Sequence, residues 1–312
     1  MRDGIIRNQE GGVRMTLNDE QLAKDRSFVV AKDNRLITKS RYSLTVQQQK
    51  ILLYLISRIK PNDEVGTTYE LPISDFIKVC GYDNAYYYKA VKDDIKKLHD
   101  TSSWIEVEKG KEVLFSWIDK AEINHNSGKI RITFHSTVSP YLFELREKYT
   151  QYNLYNVLCL SHKYSIRLYE YLMSLRYKKI FEVSVEELKK RVDAEKYKSF
   201  GNFHSRVLKP AVYDINDYTD INVEYKLKKS GKTIISIIFK IRENDDRDYT
   251  MAKIFRDRKL DPERRSEARA RKKIVEERRK HQNDEAIKAE GMVMAQLTLE
   301  ELITQLENKN AE

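Results

Sequence analysis

The sequence predicts an α+β chain: two tandem copies of one helix–strand–helix–helix–hairpin unit, then a charged helical tail. Three observations predict it. The second half gives the order directly. An amphipathic helix at 161–176 precedes a Ser184-x-x-Glu187 capping box that opens a helix to Val192. An amphipathic helix over 198–217 follows, then two strand-type runs at 221–227 and 233–241. The same order recurs in the first half, where Val91, Ile95, Ile105 and Val107 match Val207, Ala211, Ile221 and Val223 at one constant spacing. Both hairpin tips carry the same tripeptide, Ser127-Gly-Lys129 and Ser230-Gly-Lys232, and Phe134 and Phe239 end corresponding strands. A helix-turn-helix backed by such a hairpin is a winged helix. The expected division is an arm at 1–27, a first winged-helix domain at 28–148, a second at 149–245 and a tail at 246–312.

The elements follow in order. The arm is polar, carries glycine and has little periodicity, with at most one helical turn near 16–23. A short apolar strand fills 28–31. A helix over 45–59 has Val46, Ile51, Leu52, Leu53, Leu55, Ile56 and Ile59 as its broad apolar side, and Pro61-Asn-Asp63 ends it. A strand at 68–71 leads to a helix at 74–80 with Ile73, Phe76, Ile77 and Cys80 inward, broken by Gly81. Asp83 caps a third helix reaching Asp100. Its Tyr88, Val91, Ile95 and Leu98 face in, and Tyr82, Tyr86, Lys89, Asp93 and Lys97 face out. Next come a strand at 104–107 and a hairpin of 113–123 with 129–135 around His125-Asn-Ser-Gly128. Ser139-Pro140 predicts a helix to about Lys148, because proline suits the first helical position. Residues 150–160 alternate Tyr152, Leu154 and Val157 with polar neighbours, which predicts a partly extended, stiff coupling between the units.

The helix over 198–217 is the most informative stretch. Phe203, Val207, Ala211 and Ile215 recur every four residues on one face. The opposite face holds Lys198, Asn202, Ser205, Arg206, Lys209 and Tyr213, with no carboxylate among them; Asp214 and Asp217 come only in the last turn. Cations suit phosphates, and amide and guanidinium groups suit base edges, so this face fits a major groove. Taken alone, the helix fits a solvated surface equally well; the hairpin behind it favours the groove. Pro210 falls inside the pattern, and the unbroken apolar spacing predicts one kinked helix. At the hairpin tip, Lys228, Lys229 and Lys232 are placed to follow a phosphate backbone. The first unit offers Tyr86, Lys89, Lys97 and Lys129, with Asp93 weakening its basic face. His204 lies nearer the apolar side of its helix and reads as a packing histidine. In the tail, Asp261-Pro-Glu263 starts a helix thick with Arg and Lys. A Thr298-x-x-Glu301 box then opens a short helix with Leu299, Leu302, Ile303 and Leu306, suited to docking or self-association.

Composition agrees with an anionic partner. The chain of 312 residues is 34% charged and carries a formal net charge of +10. No apolar run approaches the roughly 20 residues of a membrane span, and no signal peptide opens the sequence, so a cytoplasmic location without membrane contact is expected. The two cysteines, Cys80 and Cys159, read as buried apolar residues. Twenty tyrosines stand against two tryptophans, mostly as half-buried packing with a few free to meet sugar, phosphate or base. No cofactor, metal or catalytic residue is expected. His99, His125, His135, His162, His204 and His281 are never two apart, as a metal-dependent tyrosine nickase requires, and the chain lacks a Gly-x-x-x-x-Gly-Lys-Ser/Thr phosphate loop. Ser165 and Ser205 lack a visible base and orienting acid.

Three segments resemble a known family: residues 34–57 (Asn-Arg-Leu-Ile-Thr-Lys-Ser-Arg-Tyr onward), Lys163-Tyr-Ser-Ile-Arg-Leu-Tyr-Glu170, and Val207-Leu-Lys-Pro-Ala211 with Thr219-Asp-Ile-Asn-Val-Glu224. Over roughly 28–242 the chain is similar to plasmid replication initiators of the two-winged-helix Rep superfamily, which act at theta-type origins with repeated sites. The basic tail from Lys253 onward departs from that pattern. The resemblance implies binding of double-stranded DNA at direct repeats and recruitment of host replication proteins such as a helicase or initiator. In some members a homodimer on an inverted repeat also represses the initiator's own gene. A transcriptional regulator with tandem winged helices is the alternative, and a nickase or relaxase comes third.

Overall fold

A computed structural model describes residues 28–79, 86–124 and 126–244. These fall within the first of two units, Met1–Leu260; the second, Asp261–Glu312, lies outside the described residues. The expectations for the arm, Cys80, Gly81, Tyr82, the Asp83 cap, His125 and the tail helices also lie outside them.

The first half opens with β1 (Val29–Asp33) and a short helix α1 (Asn34–Thr38), whose Asp33 cap accepts from the Arg35 N–H at 2.7 Å. After β2 (Ser40–Arg41), helix α2 (Val46–Ile56) starts at a reciprocal capping box between Thr45 and Gln48. It ends at Ile56, short of 59, with the Ser57 hydroxyl donating back to the Tyr54 carbonyl at 2.7 Å. Strand β3 (Thr68–Pro72), α3 (Ile73–Val79) and α4 (Tyr86–Asp100) follow. On α4, Val91, Ile95 and Leu98 are buried, while Lys89, Asp93 and Lys97 are exposed.

The hairpin expected next is different in the structure. The run 113–123 is two strands: β5 (Lys111–Ser116), which pairs with β4 (Ser102–Glu108), and β6 (Ile118–Asn124), which pairs with β7 (Lys129–Phe134). The break is at Trp117. Its fully buried indole sits edge-on to Tyr42 and Phe115 at 5.0 and 4.9 Å, so the chain turns there from one sheet into another. The sheets are β2-β4-β5 and β3-β7-β6. The second corresponds to the sheet β10-β11-β9 of the other half, where β9 is Ile180–Ser184, β10 is Ile221–Ser230 and β11 is Thr233–Glu243. The structural partner of β10 is therefore β6 and not β4, and the match of Ile105 and Val107 to Ile221 and Val223 is one of sequence position only. The β4–β5 hairpin is an addition peculiar to the first half. The two Ser-Gly-Lys tripeptides do occupy equivalent turns, where Gly128 and Gly231 take φ of 65° and 58° without a Cβ penalty.

From 139 only one 3-10 turn forms, Ser139–Tyr141. Glu144 and Lys148 adopt positive φ, which takes the backbone off a helical path before 148. Then come β8 (Tyr149–Asn153), α5 (Leu154–Leu158), α6 (Lys163–Ser174), β9 (Ile180–Ser184) and α7 (Val185–Arg191). The helix predicted at 198–217 runs from α8 (Phe200–Phe203) through a π turn, His204–Leu208, into α9 (Lys209–Tyr218). Helical dihedrals continue through Leu208 and Lys209, so it is one helix. The Lys209 N–H reaches the His204 carbonyl, a five-residue step. That step takes up the irregularity next to Pro210, which has no N–H to offer. Strands β10 (Ile221–Ser230) and β11 (Thr233–Glu243) close the wing.

The halves are joined rigidly. Strand β8 pairs along all of β1, and Tyr152, Leu154, Val157 and Leu158 are buried. Helix α6 supplies the polar clamp. Lys163 reaches Asp193 at 2.7 Å and the Ser43 hydroxyl at 3.2 Å. Buried Arg167 donates to the Arg191 carbonyl at 2.8 Å and the Ser40 carbonyl at 3.2 Å, and lies over the Tyr42 ring at 4.1 Å. Glu170 forms an ion pair with buried Lys32 and accepts from the Tyr152 hydroxyl. Burial and the Glu170 charge hold the Tyr152 hydroxyl well above its ordinary pKa, so it stays a donor. The segment Lys163–Glu170, one of the three that carry the family resemblance, is thus the joint between the halves.

Candidate nucleic-acid interface

The long helix separates its faces as its pattern requires. Phe203, Val207, Ala211 and Ile215 are all at most 3% exposed, and the first three line one small gap together with Leu168, Leu188, Val192 and Leu208. Lys198, Asn202, Ser205, Arg206, Lys209 and Tyr213 are all exposed. Among the described residues, Lys198, Arg206 and Lys209 have no carboxylate partner, so their charge faces solvent unspent. Tyr213 stands 61% exposed beside them. Asp214, in contrast, is buried and turned away; it accepts from the Ser161 N–H at 2.7 Å and His162 Nδ1 at 3.2 Å. The expected carboxylate-free face therefore continues past the sequence position of an acid.

His204 packs as expected. Its ring stacks on Phe200 with centroids 5.7 Å apart, and Nε2 lies 2.8 Å from the Tyr225 hydroxyl on β10. Asn216 fastens the same strand by exchanging two hydrogen bonds with the Val223 backbone, at 2.7 and 3.1 Å. The wing therefore has a fixed seat on the helix.

At the wing tip the three lysines differ. Lys228 reaches both Glu182 oxygens at 3.0 Å, while Lys229 and Lys232 are exposed with no carboxylate partner among the described residues. The bond from Ser236 and the Lys228 charge hold the Glu182 carboxyl below its ordinary range. Sequence reasoning missed Glu182 because the pairing of β9 with β11 brings it there, which no local pattern reveals.

The first half is less basic in the same positions. Lys129 is tied to Glu70 at 2.8 Å, Lys97 is 3.9 Å from Asp94, and Lys89 is exposed one turn from exposed Asp93. Tyr86 begins α4, and its side chain lies outside the description. Instead this half exposes apolar surface. Trp104 and Leu114, directly opposed on β4 and β5, are 49% and 47% exposed. No helix among the described residues is long and apolar enough to cross a membrane.

Comparison with known proteins agrees with this architecture. Residues 29–173 match the family model described as initiator replication protein WH1, and residues 184–241 match initiator Rep protein WH2. A replication initiation protein of Escherichia coli is 30% identical over 226 residues, covering 69% of each chain. An uncharacterised 27.6 kDa protein of the same organism is 22% identical over 227 residues, covering 68% of this chain and 95% of its own. A crystal structure of the WH1 domain of a replication protein isolated from a multiple sclerosis patient aligns at 24% identity. That alignment covers 30% of this chain and 76% of the other, with a TM-score of 0.24. The two winged helices, matched by their own family models in chain order and by a replication initiation protein over 69% of its length, place the protein in the family of two-winged-helix plasmid replication initiators.

Proposed function

We propose that this DNA-binding initiator reads repeated origin sites in double-stranded DNA chiefly with its second winged helix. The helix Phe200–Tyr218 lies in the major groove, with Arg206, Lys209, Asn202 and Ser205 toward base edges and phosphates. Lys198 and Tyr213 flank the groove, and the tip lysines Lys229 and Lys232 follow the backbone. The observation that carries this reading is the exposed basic face, which has no carboxylate partner among the described residues and is backed by an apolar inner face. The protein contributes binding and recruitment of host replication proteins in the cytoplasm, and no catalysis. Footprinting on the DNA flanking its own gene should protect directly repeated sites. A plasmid carrying them should replicate only when the protein is supplied. Protection without replication would leave a transcriptional regulator.

A second reading concerns assembly. The exposed Trp104–Leu114 pair on an added hairpin favours a second copy as its cover, giving a homodimer on an inverted repeat that represses the initiator's own gene.

A further inference from the structure

In the second module the helix holds the base of the wing through Asn216, which exchanges two hydrogen bonds with the Val223 backbone, and a second polar contact lies two residues further toward the tip, at Tyr225. His204 opens the π turn that carries Ser205 and Arg206, and its Nε2 meets the Tyr225 hydroxyl at 2.8 Å. Tyr225 belongs to the inward face of β10, opposite Phe239 on β11, and its ring is 6.2 Å from Phe239. Phe239 in turn packs on Phe181 of β9 at 5.6 Å. On the helix side His204 stacks on Phe200. A chain of rings thus runs from the first turn of the helix, through one hydrogen bond, across the wing sheet. Ring packing alone tolerates sliding; a directed bond does not. A single π turn inside an α-helix is also a frequent mark of a functional site.

We propose that His204 and Tyr225 form a strut that sets the wing relative to the recognition helix, making both positioning residues for DNA binding. Neither needs to touch DNA. The strut keeps Lys229 and Lys232 on the phosphate backbone while Arg206 and Lys209 occupy the groove. This rests on the reading of the second module as the DNA-contacting unit.

The test uses the full chain, a duplex carrying the sequence protected next to its own gene, and a random-sequence duplex of equal length. Affinity is titrated over a salt series, with the footprint and thermal unfolding recorded for each variant. Each lost phosphate contact should flatten the log–log salt slope by about 0.9 units. Lys229→Ala with Lys232→Ala calibrates the wing. Tyr225→Phe removes only the hydroxyl and His204→Phe keeps the stack. Each should flatten the slope toward the double-lysine variant and lose wing-side protection, with unfolding little changed. His204→Gln, which keeps a polar partner for the hydroxyl, should recover part of the slope. An unchanged slope in Tyr225→Phe beside a flattened one in the lysine variant would leave the wing contacts standing and overturn the strut. An unchanged slope in the lysine variant itself would remove both.

Discussion

Arg206 is exposed on the π turn of the long helix, with no carboxylate partner among the described residues. A bidentate guanidinium–base contact discriminates by about 1–3 kcal/mol, so Arg206→Ala should weaken binding by that amount and relax preference at one base position, measured by titration on single-substitution sites. Glu182 presents the reverse case. Its carboxyl pairs with Lys228, so Glu182→Gln should release a third tip cation and steepen the salt slope by up to about 0.9 units. The pH dependence has a definite sign. A carboxyl with a folded pKa below its unfolded value stabilises the fold above the unfolded value, and this is lost as pH falls through the folded one. Wild type should lose that increment on acidification and Glu182→Gln should not. The helix residues were legible in the sequence, because burial follows a local four-residue period. Glu182 and the His204–Tyr225 bond were not, because strand register brings those groups together from distant positions.

Among elements, the helix Phe200–Tyr218 shows how a local rule was met. Proline in a helix interior costs about 3 kcal/mol and removes one hydrogen bond. The unbroken apolar spacing requires a single helix nonetheless, and the π turn before Pro210 reconciles the two. Pro210→Ala should let that turn relax toward regular α geometry. The fold should gain about 1–3 kcal/mol, read by thermal or denaturant unfolding, while Arg206 rotates relative to Ile215 and specific binding falls. A more stable variant with unimpaired binding would show that the π turn has no part in recognition. The division of 113–123 into two strands was hidden for a different reason. No glycine or proline marks the corner; a buried tryptophan makes it. The added hairpin it creates exposes Trp104 and Leu114, a surface that the period of the strands could not assign to any partner.

At the scale of the whole molecule, the halves are held by a paired strand and buried charges, so force on one is felt by the other. Arg167 satisfies carbonyls in both halves, at Ser40 and Arg191. Its loss should strand them, and a hydrogen bond to a charged group contributes about 1.5–3 kcal/mol. Arg167→Ala should therefore destabilise by about 2–4 kcal/mol and split a single unfolding transition into two, seen by calorimetry. The same rigidity bears on assembly. Successive major grooves on one face of DNA lie about 34 Å apart, and one chain would cover one long direct repeat if the helices of its two halves matched that spacing. An inverted repeat instead requires two chains about a two-fold axis. Strand β5 lies at a sheet edge, and the Trp104–Leu114 pair beside that edge is apolar enough to bury against its own copy. A contact there would engage only the first half, whose lysines are largely tied to Glu70 and Asp94, and would leave the basic face of the second half clear. Leu114→Lys places a charge in the middle of that contact. Sedimentation should then give monomers for the variant at concentrations where wild type is dimeric. Occupancy of an inverted repeat should fall at least tenfold, while binding to a single direct repeat stays within about twofold. Equal stoichiometry of variant and wild type on free, direct and inverted samples would place the dimer surface elsewhere or leave the protein monomeric throughout.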